Sequence, residues 1–380
     1  MNAKQPFFLA ILTAWYLMVW CLPLAVLAET GTETNTGIEW LEAQWLEEWR
    51  ERRPQILELW TRALGQPKDA DFPAEVVSVG TFETPDFRAE VLRQATGPQT
   101  QQRMVLLKPL RIAPDRNRTP NPRVPGIVVP YYDPDRMCGY DLTTHERIPA
   151  YEKTSCFGLQ LVRQGYVVLC VEAYPFNLLP DFEREDFAIW QAAAEELHRR
   201  EPGWTGMGKL TADVRLAIDL LARVPEVDPE RLAIAGHSLG GKMSFYAGCL
   251  DPRVKAIVAS DFGFRWEDSN WTAPWYWDAE NVHLFQKTGQ DHRSLLALHA
   301  PHLFILIAGE ADGEQTVPFL EQTGRIFGLF TDQPRIHILN HHTGHQPTWP
   351  ALRSAWSLLA EEFGWSVPES LTNDRIFPKE

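Results

Sequence analysis

Between Ile38 and Leu64 the segment IEWLEAQWLEEWRERRPQILELWTRAL sets Trp, Leu and Ile at helical intervals among Glu and Arg, with Pro54 interrupting the series. That spacing predicts two helices broken at Pro54, because a proline inside a helix removes one hydrogen bond and clashes with the preceding turn. Their apolar stripe is expected to pack on the rest of the chain. The acidic polar face disfavours a membrane surface.

After Pro73 the period shortens. EVVSVGTFE, FRAEVLRQ and QRMVLLKP follow closely between residues 75 and 109, as an antiparallel opening does. Six later runs are apolar on both alternations: GIVVPYY from 126, GYVVLCVEAY from 165, RLAIAGHS from 231, VKAIVASD from 254, LFILIAGE from 303 and RIHILN from 335. Strands buried on both faces belong to parallel sheets. Stretches of helical period, TADVRLAIDLLARV from 211 among them, separate most of these runs. The pattern therefore predicts an α/β architecture, a mostly parallel central sheet with helices on both faces. RIAPDRNRTPNPRVP, from 111, reads as a surface loop.

Composition narrows the function. A chain of 380 residues with 44% hydrophobic and 23% charged residues has ample material for a folded core. A net charge of -14, with no Lys/Arg block, argues against a nucleic-acid binder and favours a small or neutral substrate. Lys4 precedes an uncharged apolar stretch from Pro6 to Ala28 that closes on Val26-Leu27-Ala28 before Glu29. Residues 1–28 therefore read as a secretory signal cut after Ala28, the alternative being a retained N-terminal anchor; either places the remainder outside the cytoplasm, periplasmic or secreted. Trp20 before Cys21 argues against lipidation. The expected organisation is a signal at 1–28, a helical segment at 29–73 and a catalytic domain at 74–380. Cys170 and Cys249 lie in apolar surroundings and read as buried thiols, leaving Cys138 and Cys156 as the pair with scope for a disulfide. With no C-x-x-C, structural zinc is not expected.

The candidate chemistry centres on IAGHSLGG. RLAIA is a strand, GKMSFYAGCL begins a helix, and Gly236 and Gly240 flank Ser238, so the serine occupies a sharp strand-to-helix turn that exposes its hydroxyl. A serine needs a base, and the base needs an orienting acid. In a parallel sheet both are sought beyond later strands' carboxyl ends. Asp312 follows LFILIA and His345 follows RIHIL, giving the chain order Ser, Asp, His. Asp261, directly after VKAIVAS, is the competing acid. His337, His341 and His342 suggest a metal set only weakly, since no HExxH or carboxylate-bearing helix accompanies them; His237 is expected to pack in the turn. In FGFRWEDSNWTAPWYW, from 262, Trp271 and Trp275 are candidate substrate-binding rings, with core packing of the loop as the equal alternative.

RLAIAGHSLGG, GEADGEQTVP and HHTGHQP resemble the nucleophile, acid and histidine segments of the α/β-hydrolase superfamily over about residues 100 to 360. VDPERLAIAGHSLGGKMSFYAGCLDPRVKAIVAS, from 227, is similar to the dienelactone-hydrolase and acetyl-xylan-esterase-like branch. The resemblance implies the α/β-hydrolase fold, a serine-hydrolase mechanism and a catalytic triad of Ser238, Asp312 and His345, and leaves the substrate open; the expectation is a carboxylic ester, small-molecule or carbohydrate, cleaved with no cofactor. Where lipase-like members carry His-Gly-Gly, this chain has VVPYYDPD, so Tyr131 or Tyr132 is the expected second oxyanion donor beside Leu239. A prolyl-oligopeptidase-type peptidase is the enzymatic alternative, although the roughly 45 residues between Ala28 and Pro73 are too few for the large domain such enzymes carry. A catalytically silent hydrolase fold used for binding is the alternative outside enzymology.

Overall fold

The structure, a computed structural model, describes residues 36–97, 99–110, 123–179, 187–333 and 335–366. The signal reading of residues 1–28 and most of the loop at 111–125 lie outside the described residues. Among the described residues, no helix is long and apolar enough to cross a membrane.

Each of the nine runs is a strand: β1 (Val76–Glu83), β2 (Phe87–Gly97), β3 (Thr100–Pro109), β4 (Val124–Pro130), β5 (Val167–Val171), β6 (Val227–His237), β7 (Val254–Ser260), β8 (Leu303–Ala308) and β9 (Ile336–Asn340). They form one sheet in the order β1-β2-β3-β5-β4-β6-β7-β8-β9. The pairs β1/β2, β2/β3 and β3/β5 are antiparallel, and every pair from β5 onward across the sheet is parallel. From β4 the chain moves to β5 on one side and returns to β6 on the other. The crevice beyond the carboxyl ends of β4 and β6 is thus the topological switch point, where open α/β sheets hold ligands.

Both sheet faces are covered, which is why the runs are apolar on both alternations. In β6, Leu232 and Ile234 enter one core layer while Ala233 and Ala235 enter the other. On the first layer lie α1 (Thr36–Leu64), α4 (Tyr174–Leu178), α5 (Phe187–Arg200), α6 (Gly206–Leu221), α7 (Leu239–Leu250), α8 (Asp278–Thr288), α9 (His292–Ala297) and α10 (Val317–Gly328). The second is covered by α2 (Pro134–Cys138), α3 (Phe157–Arg163) and α11 (Trp349–Glu362).

Two expectations are corrected. Pro54 does not divide the N-terminal segment: α1 runs unbroken from Thr36 to Leu64. Tertiary packing overrides the local penalty, since Trp49 and Trp60 on either side of Pro54 are buried in the core layer. Trp60 lies edge-on to Tyr246 at 5.8 Å and donates through Nε1 to Ser294 Oγ at 3.1 Å. Nor do Cys138 and Cys156 pair, for all four described cysteines are free and buried. Each thiol has a backbone carbonyl instead, Asp135 and Tyr140 for Cys138 and Met137 for Cys156. Burial pushes the Cys156 thiol up to about 12.

Candidate active site

β6 ends at His237 and α7 begins at Leu239, leaving Ser238 in the turn at φ 56 and ψ -114. A non-glycine residue held there stores about 1–3 kcal/mol of strain, which persists only where the surroundings over-determine it. Two glycines supply that constraint. A Cβ on Gly236 would lie 2.2 Å from Gly240 O, and one on Gly240 would lie 2.2 Å from Pro130 O. Their absence lets the helix fold back on its own strand and rest its first turn against the end of β4. The Ser238 N–H extends the β6/β7 ladder by donating to Ser260 O at 2.7 Å.

The same approach brings two segments of backbone together. Leu239 opens α7, where N–H groups lack intrahelical acceptors and the helix dipole favours negative charge. Across from it, Tyr131 spends its N–H on Val171 O at 3.0 Å, which removes it as an oxyanion donor. Tyr132 is thereby left as the donor candidate on the β4 side.

His345 lies in the loop between β9 and α11, a helix capped by Thr348, whose side chain accepts from Ala351 N. Its ring centroid is 4.6 Å from that of His237, the residue before Ser238. His345 Nδ1 meets Asp261 Oδ2 at 2.6 Å. The expectation that Asp312 orients the histidine is therefore corrected: its partner is Asp261. Among the described residues, His345 Nε2 and Ser238 Oγ carry no hydrogen bond. Such contacts in substrate-free sites often tighten only when substrate binds.

The assignment of the two carboxylates follows from where their lone pairs go. Asp261, at φ 44, receives N–H groups from Gly309, Ala311 and Asp312 on Oδ1, at 3.0, 2.9 and 3.0 Å, and keeps Oδ2 for His345. Asp312 spends both oxygens on backbone: Oδ2 accepts from Phe262 and Gly263 at 2.8 and 2.9 Å, and Oδ1 from Phe264 at 2.6 Å. Burial raises the Asp261 carboxyl, but the His345 hydrogen bond and backbone N–H groups outweigh it and hold the group below the usual range. Asp312, deeper, is pushed up to about 6 by burial, against the pull of the Phe264 and Gly263 N–H groups.

Sequence reasoning missed Lys242. It sits one turn into α7 with 3% exposure, donating from Nζ to Phe262 O at 2.5 Å and Ser269 Oγ at 2.6 Å, and lies 4.3 Å from the Trp271 ring centroid. Burial pushes its amine down to about 7, against the attraction of Asp312 and Asp261. The sequence carried no signal for this beyond a lysine in an otherwise apolar helix. His237 does pack in the turn: it is buried, has Nδ1 3.1 Å from Ser260 Oγ, and is pushed down to about 3 by burial.

The tryptophan loop divides between core and surface. Trp271 is 0% exposed and donates through Nε1 to Gly263 O at 2.8 Å, so it is a packing residue and not a pocket wall, correcting that expectation. Trp275 is half-buried and stacks on the exposed Phe187 at 5.6 Å and 17°. From there Trp190 continues the row at 6.2 Å and reaches Tyr132 at 5.6 Å. His337, His341 and His342 gather no metal set, since no group of three or more His, Cys, Asp or Glu suited to a metal ion occurs among the described residues.

Comparison with known proteins agrees with this architecture. The model of the dienelactone hydrolase family matches residues 146–270. YtaP of Bacillus subtilis (strain 168), named as a hydrolase, is 30% identical over 108 residues, 28% of this chain and 33% of that protein. The thiohydrolase apmlB of Arthrinium phaeospermum is 45% identical over 51 residues, 13% of this chain and 17% of its own. The chain thus spans a third or less of these curated relatives. Among solved structures, a glucuronoyl esterase from Solibacter usitatus shares 16% identity over 84% of this chain and 94% of its own, with a TM-score of 0.61. A protein from Bacteroides fragilis NCTC 9343 named as an acetyl xylan esterase shares 16% over 79% and 75%, with a TM-score of 0.57. At these identities the likeness is one of fold.

Proposed function

We propose that this chain, an α/β-hydrolase by fold and similar in part to the dienelactone hydrolase family, is a serine esterase whose nucleophile, base and acid are Ser238, His345 and Asp261. The observation that carries the reading is the 2.6 Å contact of His345 Nδ1 with Asp261, at the same sheet end as the strained Ser238 turn.

The acid fixes the tautomer. With Nδ1–H given to Asp261, Nε2 holds the lone pair that removes the serine proton as Oγ attacks the ester carbonyl. The N–H groups of Leu239 and Tyr132 receive the oxyanion, and such donors act most strongly when fixed beforehand. Collapse of the tetrahedral adduct breaks the bond to the alcohol, which leaves with the proton from Nε2. Water then enters, gives its proton to Nε2 and attacks the acyl carbon; collapse of this adduct breaks the bond to Oγ, which takes the proton back from Nε2 as the carboxylic acid leaves. No step calls for a metal or organic cofactor.

The substrate reading is carbohydrate esters, acetyl esters among them. Support comes from the acetyl xylan and glucuronoyl esterases that share the fold, and from Trp275, whose half-buried ring continues the aromatic row to Tyr132. An extracytoplasmic location rests on the signal-like residues 1–28 and is tested by the mass of the mature protein.

A fluorophosphonate probe, with a panel of p-nitrophenyl acyl esters and acetylated sugars, tests the reading. Wild type should take one label and turn over short acyl esters, and Ser238→Ala should do neither. A wild type that is neither labelled nor active would remove the esterase assignment.

A further inference from the structure

We propose that Asp312 is a positioning residue, one half of a reciprocal brace that holds the strained turn from which Asp261 meets His345. The inference rests on reading Asp261 as the acid. It starts from a symmetry between two loops: the Asp261 carboxylate takes three N–H groups from residues 309–312, and the Asp312 carboxylate takes three from residues 262–264. Each loop is thus tied by the first side chain of consequence in the other. Neither relaxes without releasing the partner.

Three further features fit a brace. Asp261 sits at φ 44, and an aspartate in the left-handed region needs outside restraint to stay there. The restraint on its following residues comes from Asp312 on the N–H side and from Lys242 on the carbonyl side, through Phe262 O. Lastly, Asp312 is 0% exposed and both its oxygens are engaged by backbone, so it touches neither His345 nor anything that enters the crevice. Its effect on the reaction runs through Asp261 alone.

The test combines amide hydrogen exchange with steady-state kinetics on the full chain. In Asp312→Asn one of the two acceptor oxygens becomes a donor facing backbone N–H, so amides at 262–264 should exchange faster. The brace adds that amides at 309–312, which Asp312 does not accept from, quicken as well, because Asp261 is no longer held. On p-nitrophenyl acetate, kcat should fall about 10²-fold, the cost of displacing a reacting group by about 1 Å. KM should stay within about twofold, since nothing that binds substrate has changed. Quickening confined to 262–264, with kcat within about threefold of wild type, overturns the proposal. Should the variant fail to accumulate as folded protein, wild type supplies the second measurement: amides of the two loops should share one opening free energy, and clearly different values overturn the brace. Inactive wild type would remove the esterase reading, while the exchange pattern would still decide the brace.

Discussion

Changing Asp261 to Asn separates the two carboxylates, and the size of the effect follows from the donor count. Asparagine offers one oxygen and one NH₂. Three backbone N–H groups converge on Oδ1 at 2.9–3.0 Å, so the amide oxygen must stay there, because the opposite flip would set NH₂ against three donors. The NH₂ then takes the place of Oδ2, 2.6 Å from His345 Nδ1. Nδ1 must become an acceptor, which moves the ring proton to Nε2, the atom required as a base. The wrong tautomer of a triad histidine costs about 10⁴ in kcat. At 1.36 kcal/mol per tenfold this is about 5 kcal/mol of transition-state stabilisation. The fold should be kept, since the three N–H groups retain their acceptor. The assay is kcat for p-nitrophenyl acetate, normalised to folded protein by near-UV circular dichroism. If Asp261→Asn stays within tenfold of wild type while Asp312→Asn loses about 10³ or more, the tautomer argument fails and the acid role passes to Asp312.

Gly240→Ala would set a Cβ 2.2 Å from Pro130 O; we expect about 3 kcal/mol or more of lost stability together with lost fluorophosphonate labelling, and a variant of wild-type melting temperature would contradict the close approach. Trp271→Ala should cost about 3–5 kcal/mol in denaturant unfolding, as for a buried ring, whereas Trp275→Ala should leave stability nearly unchanged and raise KM for the preferred ester; the reverse ranking would refute the division of the loop. Asp312, raised from 3.8 to about 6 by burial, binds its proton more tightly folded than unfolded. Its contribution is therefore full below about pH 4 and lost as pH rises through 6, on the order of a few kcal/mol. The carboxylate of Asp261 and the amine of Lys242 face it, so the difference between the melting temperatures of wild type and Asp312→Asn reads Asp312 together with its coupling to these two groups. That difference, wild type minus variant, should shrink from pH 4 to 6; growth would mean that the backbone donors outweigh burial.

Much of the fold was legible because its burial is symmetrical. Runs such as LFILIA are apolar at every position, and only a strand covered on both faces requires that; the close spacing of EVVSVGTFE, FRAEVLRQ and QRMVLLKP marked the antiparallel opening. The strand-to-helix turn at Ser238 was legible too, because its steric demand falls on backbone and so appears in the sequence as glycine. Pro54 misled for the opposite reason. Its penalty is local, and the packing of Trp49 and Trp60 that offsets it involves residues more than two hundred positions away, Ser294 among them.

The carboxylate that meets His345 was hidden by a subtler feature. Asp261 and Asp312 both stand just beyond a parallel strand, both are buried, and each binds three backbone N–H groups, so position, burial and even bond count do not distinguish them. What differs is the distribution over oxygens. All three donors to Asp261 fall on Oδ1, whereas those to Asp312 are split between Oδ1 and Oδ2. Only the first arrangement leaves an oxygen whole for an imidazole. A carboxylate in such a site is thus selected by the lone pairs that the backbone has not already taken, a property of loop geometry to which residue type and spacing are blind.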